Sequence, residues 1–182
     1  WLKQLLLKST SVDNKRQMAA QALRDITDVE KRSDAKWLIN MMERLTGHPA
    51  KYSNTMWTCG AHELQYRRDR KKVTVPELSL ASRKGSLTMH LCFDKPVGQR
   101  ISELPKPLGK VTHGVGCLHM QRLADVDTKM LEKLCQSTVA AMRDWAKKSA
   151  EKGVMKPSDH RAPMKRSSVK KSVLKKPAAR RG

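Results

Sequence analysis

Leu87-Thr88-Met89-His90-Leu91-Cys92-Phe93 puts Leu87, Met89, Leu91 and Phe93 on one side and Thr88, His90 and Cys92 on the other. Strict alternation over seven residues is the pattern of a β-strand with one buried face. Ser82-Arg83-Lys84-Gly85 reads as a turn, and Leu78-Ser79-Leu80 before it as the first strand of a hairpin. Working outward, Val73-Thr74-Val75 is cut off by Pro76, which confines the two flanking runs to edge positions or to separate short strands. Thr55-Met56-Trp57-Thr58-Cys59 is a further strand, ended by Gly60. On the other side, Pro96 to Leu108 holds three prolines and reads as a loop. Val111 to His119 is a glycine-bearing strand or two pieces of one.

Helical spacing brackets this region. Met18, Ala19, Ala22, Leu23, Ile26 and Val29 recur at three- and four-residue intervals. Ser33 or Asp34 can cap a following helix carrying Trp37, Leu38, Met41, Met42 and Leu45, with Gly47-His48-Pro49 as its stop. Two helices are expected between Asp13 and Thr46. The methionines Met18, Met41 and Met42 read as core filler. Near the other end, Asp125 or Asp127 caps a helix with Leu131, Leu134, Thr138, Met142 and Trp145 on one stripe. Lys147 and Lys148 suit its C-terminal dipole, and Gly153 ends it. The expected fold is α+β: N-terminal helices, a small antiparallel sheet and a closing C-terminal helix over 13–150. Residues 1–12 form a separate segment that reads as a helix begun midway. The chain starts at Trp1 rather than Met, which points to upstream sequence.

Charge is the functional signal. Lys and Arg number 38 against 17 Asp and Glu, a net +21. Residues 151–182 carry +9 of it, and the preceding 150 carry +12. The segment 151–182, rich in Ser, Lys, Pro and Ala, cannot bury enough apolar surface to offset its ordering entropy and is expected to be disordered. Its basic residues come in pairs: Lys165-Arg166, Lys170-Lys171, Lys175-Lys176 and Arg180-Arg181. This composition resembles the lysine-, alanine- and proline-rich tails of linker histones, most closely at Lys175-Lys176-Pro177-Ala178-Ala179. Spaced cations can follow a phosphate backbone by counterion release without reading bases, and the same clusters suit nuclear import. Phosphate on Ser167, Ser168 or Ser172 would cancel neighbouring charge.

A second basic block, Arg67, Arg68, Arg70, Lys71 and Lys72 around Asp69, follows Tyr66 in an expected turn. Arginine forks there can grip phosphate in bidentate fashion. Aromatics make up only 4% of the chain, which argues against base stacking as the main mode. The expected partner is therefore nucleic acid, DNA or RNA, and the expected location intracellular and nuclear.

His90-Leu91-Cys92, Cys117-Leu118-His119 and Cys59-Gly60-Ala61-His62 could converge on zinc if their strands were neighbours. No Cys-x-x-Cys knuckle supports this, so the sequence assigns no metal. The spread of Cys59, Cys92, Cys117 and Cys135 among apolar neighbours points to reduced, mostly buried thiols. Catalytic signatures are missing. Gly114-Val115-Gly116 lacks a third glycine, Gly109-Lys110 lacks the rest of a phosphate loop, and His62-Glu63 lacks a second His. No cofactor or catalytic residue is assigned, and no apolar run approaches the ~20 residues of a membrane span. The order helix, strands, helix is shared with double-stranded-RNA-binding domains. Asp125, Asp127 and Glu132 stand where those domains begin the last helix with lysines, so that family is not assigned. The competing reading is a fragment of a larger enzyme or assembly subunit, whose domain docks on a protein partner and whose tail is a targeting signal or an rRNA-facing extension.

Overall fold

A computed structural model describes residues 17–65, 72–91 and 96–151. Helix α1 covers 17–24 and α2 Val29–Thr46, so the N-terminal region does hold two helices. Helix α2 begins earlier than Ser33 or Asp34 would allow. Asp28 is its N-cap, with the side chain accepting from the Lys31 amide at 2.9 Å. Asp34 accepts instead from the Leu123 amide at 3.0 Å, tying α2 to a distant loop. The break between the helices is sealed by Arg32, whose Nε donates to the Ile26 carbonyl at 2.8 Å. Gly47 ends α2 in the left-handed conformation (φ 72°), where a side chain would be strained.

Among the described residues eight strands follow: β1 Lys51–Ser53, β2 Met56–Cys59, β3 His62–Gln65, β4 Lys72–Val75, β5 Leu78–Arg83, β6 Ser86–His90, β7 Val111–His113 and β8 Cys117–Met120. Six build one antiparallel sheet in the order β1-β2-β5-β6-β8-β7, while β3 and β4 form a separate two-stranded ribbon. Pro76 lies where the chain leaves the ribbon for the main sheet. The flanking runs are separate strands, as one of the two expectations had it, and β5 is central rather than an edge. The alternating stretch yields β6, with the Leu91 amide still bonded to the Gly116 carbonyl; Cys92 and Phe93 lie outside the described residues. The glycine-bearing segment is two strands joined at Gly114–Gly116.

The expected loop at 96–108 instead contains a short helix, α3 (Val97–Ser102). Local sequence does not account for it; tertiary anchoring does. Arg100, buried at 8% exposure, donates to Thr138 Oγ1 at 2.7 Å and Ser137 Oγ at 3.0 Å. Both acceptors belong to the closing helix, α4 (Thr128–Glu151). Asp127 caps α4, accepting from the amides of Lys129 and Met130, each at 3.0 Å. Gly153 lies outside the described residues.

The core lies on one face of the main sheet. Trp57, Leu80, Met89 and Leu118 sit side by side in register, and all are essentially inaccessible. Leu38, Met41 and Met42 of α2 and Leu131, Leu134 and Cys135 of α4 complete that core. Burying side chains of this size contributes roughly 1.5–3 kcal/mol each, which dwarfs local helix propensity. Met41 and Met42 are core as expected, whereas Met18 is half exposed. The other face is of different chemistry. Its registered rows read Thr58–Ser79–His90–Cys117 and Ala81–Thr88–His119–Thr112, with Arg83 opposite Ser86.

Candidate functional site

The ribbon gives the second basic block its setting. β3 and β4 pair from His62↔Val75 to Gln65↔Lys72, so residues 66–71 connect the two strands at the Gln65↔Lys72 end of the ladder. Lys72 opens β4. Arg67, Arg68, Arg70 and Lys71 lie outside the described residues, as do Lys165, Arg166, Lys170, Lys171, Lys175, Lys176, Arg180 and Arg181.

The root of the ribbon is clasped to α4 by a charged cluster that linear sequence does not reveal. Glu77, between the ribbon and β5, is buried at 4% exposure. Its Oε1 accepts from Arg143 Nε at 2.8 Å and lies 2.9 Å from His62 Nε2. Its Oε2 accepts from Arg143 Nη2 at 3.0 Å, and the same nitrogen donates to the Thr46 carbonyl at 2.7 Å. Burial pushes the Glu77 carboxyl up, but the hydrogen bonds from Arg143 and His62 outweigh it and hold it below its ordinary range. The hydrogen bond to Glu77 in turn raises Arg143. Gly60, at φ 65°, leaves room for this carboxylate: a Cβ there would stand 2.7 Å from it. The clasp thus joins β3, the end of α2 and α4 around one ionised group.

The polar sheet face brings together residues that the zinc reading had singled out. His90 Nδ1 is 3.3 Å from Cys117 Sγ across the β6–β8 ladder. Thr88 Oγ1 is 2.9 Å from His119 Nδ1 one rung further along. Cys59 and His62 do not join them. Cys59 faces the apolar core, where burial drives its thiol up to about 12, and His62 serves the clasp. Cys135 is likewise buried and pushed to about 12. Among the described residues no three His, Cys, Asp or Glu side chains are grouped to hold a metal ion. Burial also raises the Cys117 thiol, so it is neither a ready nucleophile nor a ready metal ligand. His90 is lowered by burial and then by the charges of Arg83 and His119. The register of β6 against β8 was the missing signal, since both His–Cys pairs are plain in the sequence.

Charge is unevenly distributed along the chain. The described residues hold 18 Lys and Arg against 13 Asp and Glu, a net +5. The other 57 residues therefore carry +16 of the total +21. Among the described residues no helix is long and apolar enough to cross a membrane. No protein-family model, curated protein or solved structure matches the chain.

Proposed function

We propose that this protein associates with nucleic acid, DNA or RNA, by phosphate contacts largely independent of base sequence, and without catalysis. Its cationic segments are carried by an α+β body that is close to charge balance. One observation carries this reading: residues 67–72 and 151–182 together carry +13 of the +21 charge. A surplus needed only for solubility would be spread along the chain. Concentrated in a C-terminal segment and at one end of a β-ribbon, it instead favours a polyanion as partner. A two-stranded ribbon is also of a size that a duplex major groove admits, so the ribbon would present Arg67, Arg68, Arg70, Lys71 and Lys72 to backbone phosphates. The paired basic residues from Lys165 to Arg181 would add contacts and serve as a nuclear import signal.

The test is binding to a random-sequence duplex and a single-stranded RNA across 50–200 mM salt, with and without Met164–Gly182. That deletion removes eight cations, and each phosphate contact adds ~0.9 to the log–log salt slope on duplex DNA. A slope that falls by up to about 7 is the expected result. Affinity indifferent to salt, or unchanged by the deletion, would refute the proposal.

A further inference from the structure

We propose that the hydroxyl- and imidazole-bearing face of the main sheet, centred on Thr88, His90, Cys117 and His119 with Arg83 nearby, binds a phosphate ester. The inference does not depend on the basic tail or the ribbon.

Four observations support it. The first is composition. The face of an antiparallel sheet turned away from the core is commonly polar. The registered rows of this face contain hydroxyls, two imidazoles and a thiol beside Met56 and Ala81, flanked by Lys51 and Arg83, and not one carboxylate. The second is shape. Ser79, Ala81 and Thr88 are at most 3% exposed, yet Ala81 lies outside the apolar core cluster. The centre of the face is therefore covered, and its accessible part is the margin formed by the half-buried His90, Cys117 and His119.

The third is preorganisation. Each imidazole has its Nδ1 occupied, by Thr88 for His119 and by Cys117 for His90, which holds both rings in place. His90 Nε2 is buried without a hydrogen-bond partner, an arrangement that is unfavourable unless something answers it. The fourth is access. At the β7–β8 end the face opens into a cleft of about 580 Å³ lined by Ser86, Lys110, Thr112, His119, Gln121 and Asp125. Among the described residues Asp125 is the one carboxylate lining this cleft, and it is paired with Lys110 at 3.2 Å.

Burial is the main cause of the depression of His90, with the charges of Arg83 and His119 adding to it. A metal ion fits less well, because no third ligand is grouped with His90 and Cys117 among the described residues. The ester could belong to a free nucleotide or to a nucleic-acid strand, and the chemistry of recognition is the same.

Full-length protein labelled at histidine is titrated with inorganic phosphate, adenosine 5′-monophosphate and a short single-stranded DNA, at fixed pH and ionic strength. The ring resonances are followed by NMR. His90 and His119 should shift saturably while the exposed His48, on the α2 end, stays still. Arg83→Gln should weaken binding of the monophosphate about tenfold, the order expected for one charge-assisted hydrogen bond. Lys110→Gln, at a side chain 84% exposed, does not threaten folding and should weaken it severalfold. Saturation by the monophosphate marks a free nucleotide; saturation by the strand alone marks nucleic acid. Silent His90 and His119 rings at 20 mM of every probe, or shifts untouched by both variants, overturn the inference. Salt-sensitive duplex binding alongside silent rings would sink this inference alone. Responding rings in a protein that ignores duplex and RNA would sink the nucleic-acid reading alone.

Discussion

Removing Arg143 tests whether the Glu77 clasp holds the ribbon and the closing helix on the sheet. Arg143→Met keeps much of the aliphatic stem but strips both donors from a carboxylate that is 3% exposed. Orphaning one member of a buried pair costs about 3–5 kcal/mol. Arg143 itself is 43% exposed, so water can partly replace it, and His62 remains 2.9 Å away. The expected loss is therefore roughly 2–3 kcal/mol. With a urea slope of about 2 kcal/mol per molar, the midpoint should fall by about 1–1.5 M. Glu77→Gln in the Arg143→Met background should recover about half of the loss, because the uncompensated charge is gone. The sign of the acid response follows from the direction of the Glu77 shift. Its native pKa lies below the ordinary 4.5, so its contribution is complete above that pH and disappears as pH falls through the native value. In Arg143→Met this acid-side loss of stability should shrink. A midpoint within 0.2 M of the parent, or single and double variants of equal cost, would refute the clasp.

Other outcomes follow from particular residues. Thr55 holds φ 62° in the two-residue β1–β2 turn beside Asn54 at φ 50°, so Thr55→Gly should raise stability by about 1 kcal/mol in the same denaturation assay. Asp127→Ala should lower it by about 1 kcal/mol through loss of the α4 cap, while Asp127→Asn should be nearly neutral. At pH 8, iodoacetamide should spare Cys59 and Cys135 in the folded protein, since both thiols sit near 12, and modify Cys117 slowly; peptide mass mapping reads the outcome. Gly60→Ala should cost 2 kcal/mol or more, because it combines a strained φ with a collision against Glu77. A neutral result would show that the ribbon root can rearrange.

Elements whose stability is written in their own period were readable from the sequence. The stripe Leu131, Leu134, Thr138 and Met142 faces the core, and the β5–β6 hairpin forms around Lys84–Gly85. Where several residues offer the same local chemistry, sequence could not choose between them. Asp28, Ser33 and Asp34 are all competent caps, and the winner was set by where α2 meets the loop at Leu123. Helix α3 was hidden because its anchor, Arg100 to Thr138 and Ser137, spans the domain. The clasp was hidden for the same reason, since Glu77, His62 and Arg143 share no local motif. The His–Cys pairs were visible as letters, but only strand order brought His90 against Cys117 and left Cys59 in the core.

The rung Cys59↔Leu78 closes directly beneath the ribbon, so the main sheet already has β2 and β5 as neighbours without residues 60–77. Everything between those two positions is an excursion that leaves the scaffold and returns to the same point. Splicing β2 to β5 with a tight Asn-Gly connection would remove the arm, and with it Arg67 to Lys72, while keeping all six sheet strands. Scaffold and arm are thus separate stretches of chain, coupled through the Glu77–Arg143 clasp, which the same splice would remove.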